Sequence, residues 1–65
     1  MEIKVELVNK SILYFVEEDA VACYGAIQHA IANRLIFCEF ETSFGYNITI
    51  FMDKICLIHH TPARQ

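Results

Sequence analysis

Polar and apolar residues alternate along residues 2–8 (Glu-Ile-Lys-Val-Glu-Leu-Val), the period-two pattern of a strand with one buried face. Ile3, Val5 and Leu7 are expected to point inward, and Glu2, Lys4 and Glu6 outward. Residues 11–16 (Ser-Ile-Leu-Tyr-Phe-Val) are rich in aromatic and β-branched side chains and predict a second strand. Taking Asn9-Lys10 as a two-residue turn pairs Val8 with Ser11. That register sets Ile12, Tyr14 and Val16 beside Ile3, Val5 and Leu7, and expects Leu13 and Phe15 on the opposite face.

From residue 17 to about residue 34 the spacing is helical. Steps of about 100° collect Ala20, Val21, Cys23, Tyr24, Ile27, Ile31 and Leu35 on an inward arc, leaving Ala22, Gly25, Ala26, His29 and Ala30 outward. Glu17, Glu18 and Asp19 at the start and Arg34 at the end complement the helix dipole. Gly25, which costs up to ~1 kcal/mol against alanine in a helix, reads as a tolerated surface residue.

Two further strands, residues 34–42 and 46–52, are joined by Ser43-Phe44-Gly45. A glycine at the third loop position suits a type I turn followed by a G1 bulge. This loop sets Phe40 against Ile48, Cys38 against Ile50 and Ile36 against Met52, a consistent apolar face; a four-residue loop would oppose Glu39 to Ile48 and is rejected. Asp53-Lys54 is read as a tight turn into a last strand, residues 55–60, with Ile50 facing Leu57. The expectation is a single α+β domain over residues 1–61, order ββαβββ: an antiparallel five-stranded sheet with one amphipathic helix on one face. A right-handed crossover gives strand order 2-1-3-4-5, with 2-1-5-4-3 as the alternative. Residues 62–65 form a polar tail, Pro62 ending the strand.

These registers place Leu13, Phe15, Phe37, Phe51, Cys56 and Ile58 on the face away from the helix, with Phe37 beside Phe51. Composition makes that face matter. Of 65 residues 55% are hydrophobic and only 20% charged, while a chain this short buries roughly 60% of its unfolded surface. Covering four such side chains would contribute on the order of 6 to 10 kcal/mol before association entropy is subtracted. The six residues are therefore a candidate protein interface. A second copy or a different protein would cover it, the outer strand also offering an edge for pairing. A register differing by one residue, or a first hairpin curled into a barrel, would instead turn the face inward.

The formal charge of -3, with Lys4, Lys10, Arg34, Lys54 and Arg64 scattered singly, shows no footprint for nucleic acid or anionic lipid. Phe15, Phe37 and Phe51 resemble a base-stacking platform, but Glu6, Glu39 and Glu41 accompany them in place of a basic groove. No apolar run approaches the ~20 residues that span a bilayer. Cys23, Cys38 and Cys56 lack a disulfide framework and read as reduced thiols in a cytoplasmic protein.

Cys38, Cys56, His59 and His60 are candidate zinc ligands by type, but alternation puts neighbours on opposite faces and Cys56 about 13 Å from His60. His59 is expected helix-facing, and His60 exposed near Glu41. The same spacing defeats a Cys56–His60–Glu41 nucleophile, and two glycines supply no phosphate loop. The expectation is a non-enzymatic protein-binding domain without cofactor or metal. In its size, acidity and compact architecture the chain resembles small inhibitors encoded by phages and other mobile elements, including anti-CRISPR proteins. That likeness implies inhibition of a host protein by occlusion. The alternatives are a homodimeric structural or assembly subunit and, behind it, a ligand- or metal-binding domain.

Overall fold

A computed structural model describes residues 1–62 of the chain; of the tail assigned to residues 62–65, all but Pro62 lies outside the described residues. The elements are β1 (Glu2–Leu7), β2 (Ile12–Val16), α1 (Glu17–Ala32), β3 (Phe37–Glu41), β4 (Asn47–Phe51) and β5 (Ile55–Thr61), with a 3-10 turn at Met52–Lys54. The fold is α+β, order ββαβββ, with antiparallel strands and the helix packed on the sheet. The strands divide into two sheets, β2-β1-β5 and β3-β4. Residues Asp53-Lys54 do not close a hairpin. Neither supplies the positive φ that a two-residue turn needs, and the 3-10 turn instead carries the chain to the free side of β1. Only the alternative order had placed β5 beside β1, and no ladder joins β5 to β4.

As the middle strand, β1 has Ile3 and Val5 fully buried. They meet Ala20, Cys23, Ile27 and Ala30 of the helix and Cys38, Phe40 and Ile50 of the second sheet in one core. The buried helix stripe is made of small residues and one isoleucine. Val21 and Ile31, expected inside, are exposed, while Ala30, expected outside, is buried, and Ala22 and Ala26 pack at the core margin. Two sheets crowd the helix, and alanine and cysteine let its backbone approach them where Val21 would not fit.

The first hairpin is shifted by one residue from the expected register. Leu7 donates its N–H to the Ser11 carbonyl (2.8 Å) and the Lys10 N–H bonds Leu7 (2.9 Å), so the loop is Val8-Asn9-Lys10 with Lys10 at φ 72°. Asn9 Oδ1 accepts the Ser11 N–H at 3.0 Å and shapes this loop. Ile3 therefore pairs with Phe15, and Val5 with Leu13. Leu13 and Phe15 pack on the core, Phe15 edge-on to Phe40 at 5.3 Å, whereas Ile12, Tyr14 and Val16 face outward. A slip of one residue exchanges the two faces of a strand.

The helix also ends earlier than expected. Arg34, at φ 55°, donates to Ile31 (3.3 Å) and Leu35 to Ala30 (2.9 Å), a Schellman closure with arginine at the position glycine usually takes. At the other end Glu17 turns the chain from β2 into α1 at φ 55°, its N–H bonded to Met1 (2.7 Å).

Candidate protein-binding surface

The second hairpin carries the surface. Its loop is the expected three residues, with the Gly45 N–H bonded to Thr42 at 3.0 Å, Thr42 N–H to Tyr46 at 2.7 Å, and Gly45 at φ 86°. The ladder pairs Phe37 with Phe51, Cys38 with Ile50, and Phe40 with Ile48. Alternation then buries Cys38, Phe40 and Ile50 and turns Phe37, Glu39, Thr49 and Phe51 to the outside. The Phe37 and Phe51 rings lie 6.2 Å apart at 60°, with 39% and 54% of their surfaces exposed. Beside them Ile36 is 74% exposed and lines a shallow hollow with Phe51, Met52 and Asp53. Glu39 accepts a hydrogen bond from Thr49 Oγ1 at 3.1 Å and gives the patch a polar margin. Asp19 of the helix holds the hairpin tip by accepting the Ser43 N–H (2.7 Å) and Oγ–H (3.1 Å). Phe44 and Tyr46 project into solvent at that tip.

Of the six residues expected on one face, the structure brings together two. Phe37 and Phe51 adjoin as expected. Leu13 and Phe15 face the core because of the register shift, and Ile58, paired with Val5, is half-buried against the same core. Cys56 is exposed on the other sheet, at the bulge where the β1–β5 register skips between Glu6 and Leu7. The histidines exchange places too. His60, paired with Ile3, stacks on Tyr24 of the helix with centroids 4.6 Å apart, while His59, paired with Lys4, faces outward. His60 is thus not beside Glu41, nor is His59 on the helix side; β5 pairs with β1 instead of β4, which reverses both.

The shifted hairpin exposes a second mixed surface that the expected register had hidden. Ile12, Tyr14 and Leu57 alternate there with Glu2, Lys4, Glu6 and His59. Tyr14 donates its hydroxyl to Glu2, which raises the tyrosine pKa above its ordinary value, and Lys4 Nζ lies 5.9 Å from the Tyr14 ring centre. The signal for this face was Asn9, whose side chain favours a turn closed two residues later at Ser11.

Burial, with Cys38 nearby, pushes the Cys23 thiol up to about 12; burial raises Cys38 as well. Both stay protonated at neutral pH and pack as small hydrophobes. Among the described residues no three His, Cys, Asp or Glu side chains converge to hold a metal, and no helix is long and apolar enough to cross a membrane. No protein-family model matches the chain, and no curated protein or solved structure is significantly similar to it.

Proposed function

We propose that the protein is a small non-enzymatic binding domain that docks another protein on the Phe37–Phe51 face of the second hairpin. The observation that carries this reading is the pair of adjoining, exposed phenylalanines flanked by Ile36. Aromatic side chains at the centre of a patch, ringed by polar groups such as Glu39, Thr49 and Asp53, are what protein interfaces use as anchors. Within this reading the target is a host protein whose surface the domain occludes, as small phage-encoded inhibitors of the anti-CRISPR kind do. Its compartment is taken to be the cytoplasm, where three unpaired thiols in so small a chain are stable. The alternative of a homodimeric structural or assembly subunit draws on a different feature, the open edge of β5.

The test is capture from the native host with wild-type protein and Phe51→Glu as paired baits. A specific partner is expected with the wild type and lost with the variant, a weakening of about 2 kcal/mol or more. The circular dichroism spectrum should stay unchanged, since the ring lies outside the core. A partner retained by a folded Phe51→Glu protein would refute the reading.

A further inference from the structure

The β2-β1-β5 sheet ends in a strand whose outer edge has no partner among the described residues. Backbone direction along β1 follows from two bonds: Leu7 donates toward β2, at Ser11, and Val8 donates toward the segment entering β5, at Lys54 (2.9 Å). Antiparallel strands alternate, so the even residues of β1 bond β5. Their partners Leu57, His59 and Thr61 use their backbone groups on β1, and Ile58 and His60 direct theirs outward. Proteins blunt such edges with charges, prolines or short strands. Ile55–Thr61 is the longest strand here and contains no Asp, Glu, Lys, Arg or Pro.

The other edges are less suited to pairing with themselves. β3 carries Glu39 and Glu41, β4 shares a hollow with Leu7 and Leu13 of the neighbouring sheet and Lys54 of the 3-10 turn, and β2 is shorter and enters the helix directly.

We propose that β5 pairs antiparallel with β5 of a second copy of this chain, about a two-fold axis through His59. The bulge at Cys56 confines regular geometry to residues 57–61. Within that stretch, His59 is the one centre that sets both outward-directed residues of each copy against those of the other, Ile58 opposite the second copy's His60. An axis through Ile58 would set His60 against the bulge. The two sheets then merge into one, Leu57 lies opposite the second copy's Thr61, and the two exposed His59 side chains meet at the axis. The inference rests on the protein-binding reading and names one partner, but uses a surface separate from the phenylalanine face.

Sedimentation equilibrium at micromolar concentration and cysteine crosslinking test it together. Wild type should sediment as a dimer. His59→Lys, an exposed substitution that leaves the core untouched, should raise the dimer dissociation constant about fivefold by opposing like charges beside Lys4. Phe51→Glu should remain a dimer. Facing residues in a non-hydrogen-bonded pair have Cα atoms about 4.5 Å apart, within disulfide range. With oxidised glutathione, His59→Cys should therefore form an intersubunit disulfide. The native Cys56 residues, about 20 Å apart along the paired strands, should not. A wild type that stays monomeric to millimolar concentration overturns the dimer, and leaves the host-protein reading standing if Phe51→Glu still loses its captured partner. A dimer dissociated by Phe51→Glu but not by His59→Lys overturns it in favour of the phenylalanine face.

Discussion

The first hairpin closes on Val8-Asn9-Lys10 with Lys10 at φ 72°, the second on Ser43-Phe44-Gly45 with Gly45 at φ 86°. The two loops have the same length and the same left-handed third residue, yet their surfaces differ. In the first hairpin the aromatic Phe15 goes in, and on the outer face Ile12, Tyr14 and Val16 of β2 each lie across from a charge of β1, Glu6, Lys4 and Glu2 respectively. In the second the outer face is segregated, Phe37 and Phe51 at one end and Glu41 and Asn47 at the other. A charge directly across from each apolar side chain keeps it beside hydrated groups. Segregation builds a continuous apolar patch of the kind that marks a contact site. Cross-strand pairing, more than composition, decides which hairpin carries such a patch.

The sharpest way to break this comparison is to place the same charge on each hairpin. Phe15→Glu should destabilise the protein by about 3 kcal/mol or more, because it removes the Phe40 contact and drives a carboxylate toward the core. Urea denaturation should show this as a fall in midpoint far exceeding that of Phe51→Glu; equal falls would mean that the second outer face is interior. Next come the loops. Gly45→Ala forces a Cβ into the left-handed region and should cost about 1–2 kcal/mol. Lys10→Gly removes that strain from the other loop and should gain roughly 0.5 kcal/mol, the rest being offset by the flexibility glycine adds to the unfolded chain. In thermal melts each kcal/mol moves the midpoint by about 4–8 °C for a domain this size. An effect of similar size to that of Lys10→Gly is expected at the other glycine. Gly25 sits in the helix with nothing within 4 Å of an added Cβ, so Gly25→Ala should stabilise by roughly 0.5–1 kcal/mol, opposite in sign to Gly45→Ala.

The same contrast explains what could be read in advance. Gly45 announced its loop, and the register that followed put Phe37 beside Phe51. Helix and strand periods likewise announced the elements and their order. Lys10, Glu17 and Arg34 take left-handed backbone without glycine, and each marks a misread or unforeseen feature: the register of β1 with β2, the turn into the helix, and the helix end. A lysine or arginine there gives no local signal of its own, because such a conformation persists only where the surrounding structure holds it; in the first hairpin the readable signal was the neighbouring Asn9. The 3-10 turn at Met52–Lys54 was invisible for a similar reason: partner choice for β5 depends on which edge of β1 lies open, a long-range property. The candidate site was thus legible where it rests on one hairpin and misplaced where it required β5.

The pairing of β1 with β5 also governs how the chain reaches its fold. The helix and both hairpins are local and can form early, but β1 remains an open edge until a strand from the far end of the described chain arrives, as the Glu2–Thr61 pairing shows. Closing so long a loop before any contact rewards it slows folding and prolongs the exposure of Ile3 and Val5. A permuted chain that linked Thr61 to Glu2 and opened at the Phe44 tip would make that pairing local. It is expected to refold faster than the natural order at similar stability.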